Sequence, residues 1–291
     1  MVDLDVPTIE ALADWIETSV VVSQSGHFGR DKLDSLASSE VAAMPQKVSM
    51  ALTVMARRAK VLGDSYPFTV TEIGVLRCAS PWADLYESLL FLTPGSIARQ
   101  TVRASETSEM GELFEEVAES ALANLWGPGG AALRFGHPSK HGRPEAFDLA
   151  IPWLAKKMRV EVGRGYRPPR RKDGGVDIVA WRPFADGRPG FPIALAQCTI
   201  QAETFTKTSD VDLRLWASWL ALDVDPMSLL VLPGTIRAAG TEWNQLSTVV
   251  TLIERIRLME MAGRGGEPPE PRAWTSETAT ALSRIIGAGE L

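Results

Sequence analysis

Apolar positions in this chain recur three and four residues apart in some stretches and alternate in others, and the change of period marks its organisation. In "TIEALADWIETSVVV", Ile9, Leu12, Ala13 and Ile16 fall at helical spacing behind Thr8, a residue type that caps helices. "SEVAAMPQKVSMALTVMARRAKVLG" predicts a second helix, opening after Pro45 and ending near Gly63, because proline suits a first turn and glycine a last one. "SPWADLYESLLFL" predicts a third, stopped before "TPGS". Residues 1–104 are therefore expected to form a helical accessory domain. The alternative is a winged-helix-like binding module, favoured by helix count alone.

From residue 105 the pattern changes. "SEMGELFEEVAESALANLWG" places Leu113, Phe114, Val117, Ala118, Ala121, Leu122 and Leu125 on one stripe, and Gly127 is positioned to end that helix. A loop rich in Gly, Pro and His (127–144) follows. The runs "MRVEVG" (158–163), "GVDIVAW" (175–181) and "FPIALAQCTI" (191–200) read as strands, the last two joined by a hairpin at "ADGRPGF". "SDVDLRLWASWLAL" reads as a helix opened by Ser209, with Trp216 and Trp219 as core or interface residues. Another strand follows at 228–233, then helices at 242–262 and 275–287 around a Gly/Pro-rich loop at 263–272. Residues 105–291 thus predict an α/β (α+β) domain of order α-β-β-β-α-β with helices at its C-terminal end.

Composition narrows the function classes. The 291 residues are 45% hydrophobic and 23% charged, as in an ordinary globular protein, and the net charge of −6 gives no global affinity for nucleic acid or membrane. The two cysteines, Cys78 and Cys198, make neither a disulfide framework nor a zinc knuckle. The first residues lack the basic and apolar regions of a signal peptide, and no apolar run is long enough for a membrane span, so a cytoplasmic location is expected. Walker A, GxSxG and dinucleotide-binding fingerprints are absent from the sequence. His137 and His141 are four apart among Gly, Pro and Ser without accompanying ligands, and Cys198 lacks a recognisable base.

The candidate chemistry centres on "GGVDIVAW". Asp177 shares a strand face with Val179 and Trp181, where an uncompensated carboxylate would cost several kcal/mol, roughly, unless a cation or metal faces it. A structural ion pair with a nearby arginine is one solution. A metal site is the other. Gln197 is the polar residue of the neighbouring strand, Lys207 lies ten residues on, and Glu115, Glu116 and Glu119 ride on the preceding amphipathic helix, with Glu115 nearest the apolar stripe at Phe114. Glu161 is a further apolar-flanked carboxylate. Two carboxylates, an amide oxygen and a lysine suit Mg²⁺ or Mn²⁺, which prefer oxygen ligands. Just upstream, "KKMRVEVGRGYRPPRRK" (156–172) holds eight Lys or Arg and one Glu, with Tyr166 among them. Lys156, Lys157, Arg164, Arg167, Arg170, Arg171 and Lys172 make this run a candidate contact for a phosphate backbone.

"GGVDIVAW … IALAQCTI" within the α-β-β-β-α-β order resembles the PD-(D/E)XK nuclease superfamily, in the variant where Gln replaces the second acid. The likeness spans roughly 110–235. It implies a restriction-endonuclease-like core in which Asp177, Gln197, Glu115 (or Glu116) and the backbone carbonyl of Cys198 hold Mg²⁺ or Mn²⁺. The family's lysine belongs at position 199, where this chain has Thr199, and Lys207 would substitute from the following helix. The activity implied is phosphodiester hydrolysis, on DNA or alternatively RNA, within a prokaryotic restriction or phage-defence system. Protein partners in such a complex, or a homo-oligomer, would accompany it. The alternative is a catalytically degenerate subunit that binds DNA or a protein partner without cutting.

Overall fold

A computed structural model of the chain describes residues 8–101, 107–138, 142–165, 167–202, 204–208, 210–237 and 240–286. Tyr166, Ser209 and His141 lie outside the described residues. The architecture is mixed α/β, in two compact units whose segments interleave along the chain. The first unit is built from residues 1–110, 233–240 and 254–291, and the second from 111–232 and 241–253. The division therefore differs from a single cut near residue 104, because the C-terminal helices belong with the N-terminal ones.

In the first unit α1 (Ile9–Val22) is capped by Thr8, whose hydroxyl accepts from the Ala11 amide at 3.1 Å. Leu12, Ala13, Ile16 and Val20 are at most 1% exposed, so this helix is the centre of the unit rather than a wall of it. β1 (His27–Gly29), α2 (Arg30–Val41) and α3 (Pro45–Leu62) follow, then β2 (Phe68–Thr71) and β3 (Gly74–Arg77). The strands form an antiparallel sheet of order β1-β3-β2, an element the helical reading of residues 1–104 omits. α4 (Ala83–Leu92), α5 (Ile97–Thr101), α11 (Arg255–Arg264) and α12 (Ala273–Ile286) complete the unit.

A buried ionic network ties these helices together. Asp14 and Glu17 of α1 each lie 2.7 Å from Nη1 of Arg58 on α3, and Arg255 of α11 donates to Asp14. The hydroxyls of Tyr66 and Tyr86 donate to Glu17 at 2.6 and 3.0 Å, and Arg58 also donates to the Thr235 hydroxyl at 2.8 Å.

The second unit begins within α6 (Thr107–Leu122), which stops short of Gly127. Its sheet has the order β10-β9-β7-β6-β4. β4 (Ala131–Arg134), β6 (Ile178–Trp181) and β7 (Ile193–Cys198) pair antiparallel, and β9 (Met227–Val231) and β10 (Thr251–Ile253) continue in parallel. α7 (Phe147–Met158) links β4 to β6, α8 (Thr204–Lys207) and α9 (Leu213–Trp219) link β7 to β9, and α10 (Thr241–Ser247) links β9 to β10. One face of this sheet packs Phe135, Val179, Trp181 and Leu195 against Phe147, Trp216 and Trp219, whose rings meet edge to face at 4.6–6.5 Å. The two tryptophans are thus core residues.

Three expected elements differ from the structure. The strand expected at 158–163 is instead the end of α7, a left-handed Arg159, and the two-residue β5 (Glu161–Val162). β5 pairs with β8 (Leu220–Ala221) apart from the main sheet, and the first strand of that sheet is the unforeseen β4. The helix expected at 242–262 is broken by β10, where the β-branched run "TVVTLI" favours an extended backbone. The helix expected from Ser209 starts at Leu213, capped by Asp212, whose carboxylate accepts from the amides of Arg214 and Leu215.

Candidate metal centre and its basic approach

Register sets the geometry of the site. Ile178 pairs with Ala196 and Arg134 with Ile178, so the next residue pair places Asp177 between Phe135 and Gln197 at the end of the ladder. Residues directly opposite on antiparallel strands share a face, which brings the Asp177 and Gln197 side chains together. The backbone there is fully paired. The Asp177 amide donates to Ala196 at 2.9 Å, and its carbonyl accepts from Phe135 and Gly136 at 2.6 and 3.1 Å. Gly175 holds the preceding turn at φ +78°, where a β-carbon would stand 2.0 Å from the Asp210 carbonyl oxygen. Only glycine fits that approach.

One carboxylate oxygen of Asp177 is anchored and the other faces an acid. Oδ2 accepts from Gln197 Nε2 at 2.5 Å and from the Cys198 amide at 2.7 Å. A β-carbon built on Gly136 would lie 3.5 Å from Asp177 Oδ1 and 3.7 Å from Glu115 Oε2, so both carboxylates converge on the space that this glycine leaves open. Glu115 reaches it from α6, half-buried beside the fully buried Phe114.

The electrostatics are unbalanced. Burial pushes the Asp177 carboxyl up to about 8, and the neighbouring Glu115 and Asp173 add to the rise, against the Cys198 amide and Lys207. Burial likewise lifts Glu115 to about 7, opposed by Arg134 and reinforced by Glu112, Asp173 and Glu119. The Cys198 thiol is pushed well above its ordinary range by burial and by the two acids, which keeps it protonated and removes it as a nucleophile.

The remaining expected residues separate. Lys207 ends α8 with Nζ 3.9 Å from Asp210 Oδ2, and its charge is felt at Asp177. Thr199, where a lysine would stand in the family pattern, is buried, and its hydroxyl accepts from the Gln201 amide at 3.1 Å. Glu119 pairs with Arg134 at 2.9 Å, Glu116 is exposed, and Glu161 is exposed on the small ribbon. His137 pairs with Glu145 at 2.8 Å.

Three residues of the site were not singled out by the sequence. Asp173 adds a third negative charge felt by both acids. Gly136 supplies the open space. Arg143 is 4% exposed, lies 4.4 Å over the Phe135 ring, donates to the Lys172 carbonyl at 2.8 Å, and feels the charge of Asp173. "DGG" before the strand and the glycine after β4 were the available signals. Among the described residues, no group of three or more His, Cys, Asp or Glu side chains is arranged to hold a metal ion. The donor set here is two such carboxylates, an amide and a backbone carbonyl.

The basic run lies on the surface that leads to Asp173 and Asp177. Lys156 and Lys157 occupy the last turn of α7, with Lys157 5.8 Å above the Trp153 ring. Arg164, Arg167, Arg170, Arg171 and Lys172 are all exposed. Trp219 Nε1 fastens this loop by donating to the Arg167 carbonyl at 2.8 Å, and Arg171 pairs with Asp210 at 2.8 Å. An open cleft of about 600 Å³ is lined by Arg170, Arg171, Lys172, His137, Glu145 and Phe147. Two of its lining residues, His137 and Lys172, are the chain neighbours of Gly136 and Asp173.

Comparison with protein-family models, curated proteins and solved structures yields no match to the chain.

Proposed function

We propose that the second unit is a nuclease dependent on Mg²⁺ or Mn²⁺ that hydrolyses phosphodiester bonds of DNA, of the kind found in restriction or phage-defence systems. The observation that carries this reading is the convergence of Asp177 and Glu115 on the space over Gly136 with their pKa values raised. A divalent cation is the ordinary compensation for such a pair. The donor set fits one. Asp177 and Glu115 would bind through carboxylate oxygens, Gln197 through its amide oxygen and Cys198 through its backbone carbonyl. The bound cation would supply Lewis acidity and a coordinated water of lowered pKa.

The protein's own groups do the rest. The Cys198 amide fixes Asp177 Oδ2, so the free oxygen keeps one direction. Gly136 keeps side-chain bulk out of the space between the acids. Lys207 places a positive charge where negative charge would build up on a phosphoryl group. Arg164, Arg167 and Lys172 hold the phosphate backbone along the approach, and Arg170 and Arg171 line the adjoining cleft.

One observation favours a second reading, in which the unit binds DNA or a protein partner without cutting. Position 199 offers no cation, being a threonine whose hydroxyl accepts from the Gln201 amide, and Lys207 is shared with Asp210. Cleavage of supercoiled and single-stranded DNA at low salt, with Mg²⁺, Mn²⁺ or EDTA, decides between them. Metal-dependent cutting that disappears in both Asp177→Ala and Lys207→Ala supports the nuclease. Absence of cutting by the wild-type protein in either metal, with DNA binding intact, would establish the non-cutting subunit.

A further inference from the structure

The sequence of α3, "PQKVSMALTVMARRAKVL", contains four basic residues and no acid, in a chain of net charge −6. Its buried stripe is Val48, Ala51, Leu52, Met55, Arg58 and Leu62. Arg58 is spent on the buried network, which leaves Lys47, Arg57 and Lys60 as exposed cations. Among the described residues none of these three forms a salt bridge. At 100° per residue Gln46, Met50, Thr53, Arg57 and Lys60 fall on one outward stripe, with Lys47 at its margin. Gln46 to Lys60 makes this stripe about 21 Å long.

The surrounding topology is that of a reading head. α2 and α3 are joined by the three residues 42–44, and the chain runs α1-β1-α2-α3-β2-β3 with a sheet of order β1-β3-β2. This is a helix-turn-helix backed by a hairpin, the winged-helix arrangement, in which the second helix of the pair enters the major groove. Arg30 fixes the start of α3, since its Nη2 donates to the Pro45 carbonyl at 3.1 Å and to the Ser49 hydroxyl at 2.7 Å. The acids of the helix-turn-helix partner and of the hairpin are Asp31, Asp34 and Glu40 on α2 and Glu72 at the hairpin tip, and Asp34 is held by Arg30 at 2.9 Å. The elements packed behind α3 add Glu10, Asp14 and Glu17 on α1, Asp64 after α3 and Glu260 on α11.

We infer that the first unit binds duplex DNA, with the exposed stripe of α3 in the major groove. Lys47, Arg57 and Lys60 contact phosphates or guanine edges. Gln46 and Thr53 supply hydrogen-bonding groups to base edges, and Met50 an apolar contact to a thymine methyl. A duplex is the partner because a rigid helix fills a major groove, whereas a single strand calls for a stacking platform, and this stripe carries no aromatic side chain. The inference stands apart from the proposed nuclease site, which occupies the other unit.

The test measures anisotropy of the full-length protein on a labelled mixed-sequence duplex of about 30 base pairs, in EDTA and over a range of salt. Lys47→Ala/Arg57→Ala/Lys60→Ala is expected to weaken binding at least about tenfold and to lower the slope of log K against log salt by about 2 to 3. Its circular dichroism should match the wild type, because all three side chains are on the surface. Arg164→Ala/Arg167→Ala/Lys172→Ala, in the other unit, reports how much of the slope belongs there. A triple α3 variant within twofold of wild type in affinity, or a wild-type protein that binds no duplex at any salt, overturns the inference. The latter result would leave the exposed Met44, Met50 and Val61 as the surface of a protein partner. A wild-type protein that binds through α3 yet cuts nothing in Mg²⁺ or Mn²⁺ overturns only the nuclease.

Discussion

In the first unit Asp14 and Glu17 face Arg58 and Arg255, two carboxylates against two guanidiniums, with tyrosine hydroxyls filling the remaining acceptor positions. In the second unit Glu115, Asp173 and Asp177 share one site with Lys207 and with Arg134, and Arg134 is already held by Glu119. Burial alone would disfavour the charge on Arg58, yet Glu17 and Asp14 hold its pKa well above the ordinary value. Around Asp177 the Cys198 amide and Lys207 offset burial and the neighbouring acids only in part, and the carboxyl rises to about 8. A closed network of opposite charges is complete without a ligand. A cluster of like charges is not, and its energy falls when a cation arrives. The contrast separates buried charge that fastens a fold from buried charge that awaits a partner.

The largest expected effect comes from opening the closed network. Glu17→Ala leaves Arg58 with half its compensation and strips both tyrosine hydroxyls of their acceptor, so urea unfolding should show a loss of about 3–5 kcal/mol. Equal stability of variant and wild type would show that the network contributes nothing and would erase the comparison.

An effect of opposite sign is expected at the open cluster. The folded pKa of Asp177 lies near 8 and that of Glu115 near 7, against ordinary values of 3.8 and 4.5. The folded protein therefore holds protons that the unfolded chain releases, and metal-free stability falls as pH rises from about 4 to about 8. Asp177→Asn should flatten this fall and leave the metal-free protein more stable than wild type at the alkaline end. Thermal unfolding across that range in EDTA measures both, and a wild-type stability that rises over the same range contradicts the electrostatic account.

The smallest change in stability is expected for Gly136→Ala. Its β-carbon would make ordinary contacts at 3.5 Å or more, so unfolding should shift by less than about 1 kcal/mol. Occupying the space between the carboxylates should nevertheless weaken Mn²⁺ affinity about tenfold by calorimetry. Unchanged Mn²⁺ binding would place the cation elsewhere.

Much of this was readable in the chain, for physical reasons that differ by element. α1 and α3 announce themselves through a cap, a first-turn proline and long apolar stripes. The β6–β7 hairpin is legible because two apolar runs flank a glycine-containing turn, and that hairpin is what sets Asp177 opposite Gln197. β4 has only four residues at the end of a glycine-rich loop, too few for a period to show. "TLI" of β10 sits between two helical stretches whose spacing runs on through it, and its strand identity comes from pairing with β9. Asp173, Gly136 and Arg143 owe their roles to the folding of separate segments around Asp177, which no local pattern encodes. Glu115 was distinguishable from Glu116 and Glu119 only by lying next to Phe114. The small sheet of the first unit was hidden by its short strands, and with it the topology that gives α3 an outward face.

The interleaving of the two units governs the order in which a growing polypeptide can finish them. Asp14 leaves the ribosome 241 residues ahead of Arg255, and Thr251–Ile253, the edge strand of the second sheet, emerges immediately before Arg255. Until then β9 keeps an unpaired edge and the α1 acids lack one of their two guanidiniums. The second unit therefore completes its sheet at Ile253, before α11 and α12 of the first unit have emerged, and a nascent chain stalled before residue 251 exposes a sheet edge and an unsatisfied interior at once, the two features that recruit chaperones and proteases.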